Sequence, residues 1–463
     1  TQYLGCNGIS DRIPKDEFFE YLYTNPGDIV ESPDWAKGTV YYQIFPERFA
    51  NGDKDNDPDG TVEWVSVPTR ENYMGGDLKG VKDNIPYLRN LGVETIYLNP
   101  IFHGDFNHKY ATTDYYTIDS IFGSNDTFGD LVKELHKNGM RILLDGVFNH
   151  VGVHFKQFED VLKNGVKSRY SDWFLLKKEE DISITHKDYE CVGAYKYMPK
   201  LNTSCKAVRE FILEVMDYWI REYKIDGWRL DVSDEVDIRL WQEASIILRE
   251  KYPDIILLGE TWGYGGRLVG DKKLDCVMNY MFRDAVRDYY GYHKISTTDF
   301  ANRISHMLAL YKDETAKVMY NLIDSHDTER FLCFCKGDKQ SLKAAVAFQM
   351  LFVGSPAIYY GDEVGMTGNN DPDCRGCMLW GDKQDKELLE YYKKLIKIRK
   401  EHRSIRKGEF RFTLVDDERG IIGFKRFNEN EEIDICITNG NMAKEPYSIK
   451  VLSRQGGYEN ERT

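Results

Sequence analysis

Four short runs in the sequence carry residues able to do acid, base or nucleophilic chemistry. They are Asp145-Gly-Val-Phe-Asn149-His150, Arg229-Leu-Asp231, Gly259-Glu260-Thr-Trp262 and Asp324-Ser-His326-Asp327. Each follows an apolar stretch. Any one of these acids alone reads as a helix cap or a surface carboxylate. Four of them at equivalent positions do not, because gathered carboxylates repel unless a cation or a substrate balances them. Arg229 stands two residues before Asp231, so on a strand the two share a face, and the guanidinium is expected to keep Asp231 ionised. Three carboxylates with His, Arg and aromatic neighbours suit glycosidic cleavage. One carboxylate attacks the anomeric carbon, a protonated one serves the leaving oxygen and then water, and the third holds hydroxyls and raises the pKa of the acid. Metal-assisted hydrolysis is the competing chemistry, but His150 and His326 are too few for a two-metal site.

The elements that must position these groups alternate along the chain. Strands are expected at Val40–Phe45, Thr95–Asn99, Arg141–Val147, Gly227–Val232, Ile255–Glu260, Cys276–Tyr280, Lys317–Ile323 and Ala357–Tyr360. Several are nearly continuous apolar runs, as in a parallel sheet covered on both faces. Helical patterns separate most of them: Gly80–Leu91, Phe128–Asn138, Lys206–Tyr223, Val236–Lys251, Phe300–Tyr311, Leu342–Phe352 and Glu387–Lys400. Eight such repeats predict an α/β fold, a (β/α)8 TIM barrel over residues 38–403, with reactive groups at the C-terminal strand ends. An open doubly wound sheet would call for a Gly-rich phosphate turn after the first strand, and there is none. The third repeat is too long, so a subdomain is expected to be inserted after strand three, at about 148–205. Residues 404–463 read as a small all-β domain, with short alternating runs at Gly408–Val415, Ile421–Phe427 and Ile433–Thr438. Residues 1–37 do not make a domain alone.

Composition narrows the function classes. Of the 463 residues, 41% are hydrophobic, enough for a large core. The formal net charge of −14 argues against a nucleic-acid partner. No run of 18 apolar residues points to a membrane span, and no signal-peptide pattern opens the sequence. The 9 cysteines are odd in number and irregularly spaced, so a reducing, cytoplasmic setting is expected. The pairs Cys333/Cys335 and Cys374/Cys377 lack the spacing of a zinc knuckle. The aromatic fraction of 13%, with 31 Tyr and 8 Trp, suits sugar-stacking platforms as well as core packing. A separate loop, Asn51-Gly-Asp53-Lys-Asp55-Asn56-Asp57-Pro-Asp59-Gly60, is dense in hard oxygen ligands and could hold Ca²⁺ or be a solvated acidic turn. It is not an EF-hand, since position 12 counted from Asp55 is Ser66.

These segments resemble the α-amylase family, glycoside hydrolase family 13, and within it the neopullulanase, cyclomaltodextrinase and maltogenic amylase group. The resemblance rests on DGVFNH (145–150), GWRLDVSDE (227–235), GETW (259–262), DSHDTER (324–330), MPKLN (198–202), GTVYYQIFPERFANGD (38–53) and GSPAIYYGDE (354–363), and spans roughly residues 34–440. It implies Asp231 as nucleophile, Glu260 as acid/base and Asp327 as transition-state stabiliser. It implies sugar contacts from His150, Arg229 and His326, a platform from Tyr110, an acceptor-side ring from Trp262, and donor-side binding by Asp371 and Arg375. It also implies a structural Ca²⁺ site formed by Asn51, Asp53, Asn56, Asp57, Gly75 and Asp77.

The implied activity is retaining hydrolysis of α-1,4-glucosidic bonds, with α-1,6 bonds open, in maltooligosaccharides, cyclodextrins or pullulan. Alternatives are transglycosylation or a sucrose/trehalose-type isomerisation at the same site, and a non-catalytic amylase-fold binding protein. Val-Ser-Asp-Glu follows Asp231 where ordinary α-amylases carry a Lys-His pair, which favours small maltodextrins or cyclodextrins over bulk starch. Members of the group carry an N-terminal starch-binding β-sandwich that helps form homodimers. Residues 1–37 resemble only the tail of that module, so the homodimer of an intact member is not expected of this chain.

Overall fold

The computed structural model describes residues 31–439, and in addition the backbone of the short strands Tyr3–Gly5, Gly8–Ser10, Ile449–Gln455 and Tyr458–Arg462. Most of the segment read as the tail of a starch-binding module lies outside the described residues.

Eight parallel strands carry the apolar runs. They are β1 (Tyr41–Ile44), β2 (Thr95–Leu98), β3 (Arg141–Gly146), β4 (Gly227–Leu230), β5 (Ile256–Gly259), β6 (Cys276–Val277), β7 (Tyr320–Asn321) and β8 (Ser355–Tyr359). Each pairs with its sequence neighbour from β1 to β6, β7 pairs with β8, and β8 returns to β1. A parallel bridge from Met278 to Tyr320 joins β6 to β7 and closes the ring. The result is a TIM barrel. Nearly every barrel-strand residue is buried, as a sheet covered by helices demands.

The departures from the expected elements have local causes. The stretch Gly80–Leu91 is two helices, Leu78–Asp83 and Ile85–Leu91, because Pro86 stands in the first turn of the second, where its missing N–H does no harm. β6 stops at Val277 because the Asn279 side chain accepts from Phe282 N at 3.1 Å and starts a helix, Tyr280–Val286. β7 starts only at Tyr320 because the helix Asp313–Val318 takes up the residues before it. The helix Lys206–Tyr223 has the expected bounds and ends at Lys224, whose φ of 60° is left-handed.

Between β3 and that helix the chain makes an excursion containing one α-helix, Lys156–Asn164, and two short 3-10 turns. Isolated antiparallel bridges, His150–Lys200 and Phe174–Leu201 among them, fold it back onto the end of β3. Past the barrel, Glu409–Asp416, Ile421–Phe427 and Glu432–Thr438 continue into the two last strands as a five-stranded antiparallel sheet. Phe410 and Phe424 pack this all-β domain on Phe352 and Phe348 of the barrel.

Candidate active site

The strand ends deliver their acids to one mouth. Barrel pairing runs one residue past the strands: Asp231 N donates to Gly146 O at 3.1 Å, and Glu260 N to Leu230 O at 2.8 Å. Asp231 and Glu260 therefore project from adjacent strands at one level, with Asp145 one layer deeper, level with Arg229. Arg229 stands among them, fully buried. Its Nη1 lies 2.8 Å from Asp231 Oδ1 and 2.9 Å from Asp145 Oδ1. Its Nη2 lies 2.9 Å from Glu260 Oε2, without hydrogen-bond alignment. One guanidinium thus serves three carboxylates.

That sharing adds to what the two-residue spacing of Arg229 and Asp231 implies. Arg229 does touch Asp231, yet burial and the nearby Glu260 raise the Asp231 carboxyl well above the usual range, with Arg229 opposing them. Glu260 is raised as well, by burial first and by Asp327 further, again against Arg229. Burial and the crowding of acids around one positive charge thus push both carboxyls upward. Val232, between the two acids in sequence, adopts φ 44° and ψ 46°, a left-handed backbone unusual for a β-branched residue. Its N–H reaches Glu260 Oε2 at 2.9 Å.

Asp327 is placed differently. Burial would raise it, but His326 and Arg375 outweigh burial and hold it well below the usual range. Its Oδ2 lies 3.0 Å from His326 Nε2, and its Oδ1 lies 3.3 Å from Arg375 Nη2. Arg375 Nη1 also pairs with Asp371 at 3.1 Å. Burial lowers His150 to about 4, against the Tyr110 backbone, so its imidazole is neutral at ordinary pH.

A cleft of about 440 Å³ opens over these groups. Asp231, Glu260, Asp327, Tyr110, His150, Trp262, Asp371 and Arg375 all line it. Trp262 is half exposed and stacks on Tyr280 at 4.3 Å. Arg229 and His326, which the resemblance places against sugar, lie fully buried beneath the cleft wall, where they hold the acids. Sequence reasoning missed Arg70, Phe106, His108, Tyr195 and Tyr197, which also line the cleft. They come from loops without periodicity. Their one signal is aromatic density, which does not say which rings are exposed.

The acidic loop folds apart from the cleft. Asn51 Nδ2 donates to Asp57 Oδ1 at 2.8 Å, while Asn51 Oδ1 and Asn56 Oδ1 are buried without partners. Gly75, at φ 82°, closes the loop, and a Cβ there would lie 2.3 Å from Asp57 Oδ1. The oxygens of Asp77 are taken up by the N–H groups of Gly52, Asp53 and Gly80. Asp53 Oδ1 accepts from Asp55 N. Among the described residues no three His, Cys, Asp or Glu side chains converge as a metal cluster, so the convergent groups in this loop are mainly asparagine oxygens. The described cysteines are all free, including Cys333, Cys335, Cys374 and Cys377. No described helix is long and apolar enough to cross a membrane.

A barrel of this kind with this acid cluster is the frame of a carbohydrate-active catalytic domain, and comparison with known proteins makes the class specific. Residues 43–384 match the family model of the alpha amylase catalytic domain, and the chain belongs to the alpha-amylase family. A cyclomaltodextrinase of Geobacillus thermopakistaniensis is 43% identical over 443 residues, covering 95% of this chain and 75% of that protein. Neopullulanase 2 of Thermoactinomyces vulgaris is 42% identical, covering 94% and 75%. Among solved structures, the cyclic alpha-maltosyl-(1→6)-maltose hydrolase of Arthrobacter globiformis, in complex with that sugar, superposes with a TM-score of 0.85 at 35% identity, covering 88% of this chain and 92% of the other.

Proposed function

We propose that this protein is a retaining glycoside hydrolase that cleaves α-1,4-glucosidic bonds in maltooligosaccharides, cyclodextrins or pullulan. The observation that carries the reading is the single buried guanidinium of Arg229, which holds Asp231 and Glu260 through adjacent nitrogens at 2.8 and 2.9 Å. The names of the relatives support the substrate class.

In this reading Glu260 carries a proton and Asp231, against the Arg229 guanidinium, is ionised. Its Oε2 is held by Val232 N–H, so Oε1 carries the proton toward the glycosidic oxygen. Asp231, pinned through Oδ1, attacks the anomeric carbon with its other oxygen. The C–O bond to the leaving sugar breaks as that sugar takes the proton, and a glycosyl-enzyme forms. Glu260, now ionised, takes a proton from water, which displaces Asp231 and restores both groups. Asp327, kept anionic by His326 and Arg375, binds hydroxyls that rehybridise at the transition state. Neutral His150 offers a donor to the same sugar, Tyr110 a platform, and Asp371 with Arg375 the donor-side contacts.

The exposed ring of Trp262 favours transfer to a sugar acceptor as a second reading, with the same intermediate. The test is product analysis on cyclodextrin, pullulan and linear maltodextrin, with the anomer followed by NMR. The expected first product is the α-anomer. Initial β-anomer overturns retention, and transfer products measure the second reading.

The acidic loop is proposed to hold a structural Ca²⁺. Its support is the pair of unpartnered buried oxygens, Asn51 Oδ1 and Asn56 Oδ1, beside the Asp57 carboxylate. Bound there, the ion would balance Asp57 and fix the chain between β1 and the helix Leu78–Asp83. A ligand at one hundred times its Kd adds about 2.7 kcal/mol of stability. Chelation is therefore expected to lower the thermal midpoint, and Asp57→Ala to abolish the response. A midpoint indifferent to chelator and calcium rejects the site.

A further inference from the structure

Beneath the cleft, a line of hydrogen bonds runs from Asp145 to His326, and the chemistry of its members permits only one direction. Asp145 accepts from Arg229 Nη1 through both oxygens, at 2.9 and 3.1 Å. Its Oδ2 also accepts from Tyr97 OH at 2.6 Å and from Tyr110 OH at 2.8 Å. Both phenols have thereby spent their only proton, so each can meet its other neighbours only as an acceptor.

Asn99 faces both phenolic oxygens, at 3.3 Å from Tyr97 and 3.0 Å from Tyr110. Two acceptors require its amide nitrogen on that side, which turns Asn99 Oδ1 toward Gln43. Gln43 must then present its own nitrogen, which lies 3.0 Å from Asn99 Oδ1. The same nitrogen lies 2.7 Å from His326 Nδ1. A carboxamide nitrogen has hydrogens and no free lone pair, so Nδ1 of His326 must be bare. The ring proton is left on Nε2, which lies 2.7 Å from Tyr110 OH and 3.0 Å from Asp327 Oδ2. Gln43, Asn99 and His326 are all buried, so water does not substitute for any of these donors.

We propose that Gln43 is a positioning residue which, relayed through Asn99, holds His326 in the Nε2–H form and so keeps its one donor on the side of Tyr110 and Asp327. The proposal builds on the glycosidase reading of the site, since it explains how one of its groups is made ready. Gln43 sits on β1, 283 residues from His326 in sequence, and reaches the cleft only through that ring. A tautomer set by the partner on the far ring nitrogen is a general property of histidine.

The test uses the full chain with ¹⁵N-labelled histidine, the His326 signals being assigned by their loss in His326→Gln. In the wild type without substrate, the expected pattern is a protonated Nε2 and a bare Nδ1. A proton on Nδ1 overturns the proposal whatever the enzyme does with glucans. Gln43→Met keeps the shape and removes the donor, and Gln43→Glu replaces it with an acceptor for Nδ1–H. Both are expected to shift the ring toward Nδ1 protonation. Both should lower kcat roughly 10- to 100-fold with KM little changed, the cost of a charge-assisted hydrogen bond made in the transition state. An unaltered ¹⁵N pattern together with kcat within about twofold of wild type overturns the role of Gln43. If the wild type cleaves no α-glucan, the glycosidase reading fails by itself, and the ¹⁵N pattern still decides the relay.

Discussion

Two buried arginines stand at the C-terminal end of this barrel, each amid carboxylates, and only one of them lies under a reaction site. Around Arg229 are Asp145, Asp231 and Glu260. Around Arg330 are Asp324, Asp362 and, close by, Glu363. Fractional burial does not separate them: Asp231 and Glu260 are 5% and 4% exposed, Asp324 and Asp362 2% and 4%. Burial raises carboxyls in both clusters. The difference lies in where the remaining oxygens point. Arg330 donates through Nε to the Cys374 carbonyl and through Nη1 to Asp362 and the Tyr360 carbonyl, while its Nη2 is buried without a hydrogen-bond partner. Asp324 accepts from Phe331 N and is electrostatically tied to Asp362, while Glu363 accepts from Tyr42, Tyr87 and Gly361. None of that cluster lines the cleft, and it clamps the loop after β7 to the loop after β8. The Arg229 cluster leaves two carboxyls facing the cleft. Perturbed acids therefore mark a reaction site only where a substrate can take the place of the missing partner.

The contrast can be broken at either cluster. The largest effect is expected from Asp231→Asn, which should lower turnover on maltooligosaccharides by roughly 10⁴-fold or more, as for removal of a member of a catalytic unit. Its thermal midpoint should change little. Near-normal turnover would sink the nucleophile assignment. Arg330→Met should do the reverse, costing about 3–5 kcal/mol in denaturant unfolding because it strands buried carboxylates. The kcat of whatever remains folded should be close to wild type. A selective loss of kcat at full stability would erase the distinction between the clusters.

The smallest expected effect is a change of slope. The native Asp362 carboxyl is raised by burial and by Asp324, against Arg330, while its unfolded value is near roughly 3.9. The folded chain thus binds more protons above that pH, so this group's contribution to stability falls as pH rises toward the native value and then levels. Asp362→Asn should flatten that part of the profile, measured by urea midpoints from about pH 4 upward. An unchanged slope would show that Asp362 keeps no extra proton in the native state.

Much of this was legible along the chain. Eight apolar runs with helices between them suffice for the barrel, and the strand-end acids announce its mouth. The contact of Arg229 with Asp231 follows from a two-residue spacing, because strand periodicity is local. What escaped is whatever depends on the third dimension alone. Asp324 and Asp362 meet across the barrel ends, Gln43 meets His326 from opposite ends of the catalytic domain, and Arg229 divides its charge among three strands. The last point has no sequence signal, since no pattern states how many acids one cation must serve. The break before Pro86 is a signal the chain did carry, and a helical period alone overlooks it.

Val232 has a consequence of a different kind. A valine held at φ 44° sits at a cost of about 1–3 kcal/mol, and the same backbone directs its amide at Glu260. Glycine would occupy that conformation without strain, and would leave it as readily, turning its amide away from Glu260. A laboratory search that rewards heat resistance alone should therefore be drawn to position 232, and the variants it collects there should be the ones whose acid has come loose. Thermal tolerance and turnover are expected to part company at this one peptide unit, beside a nucleophile that would itself be untouched.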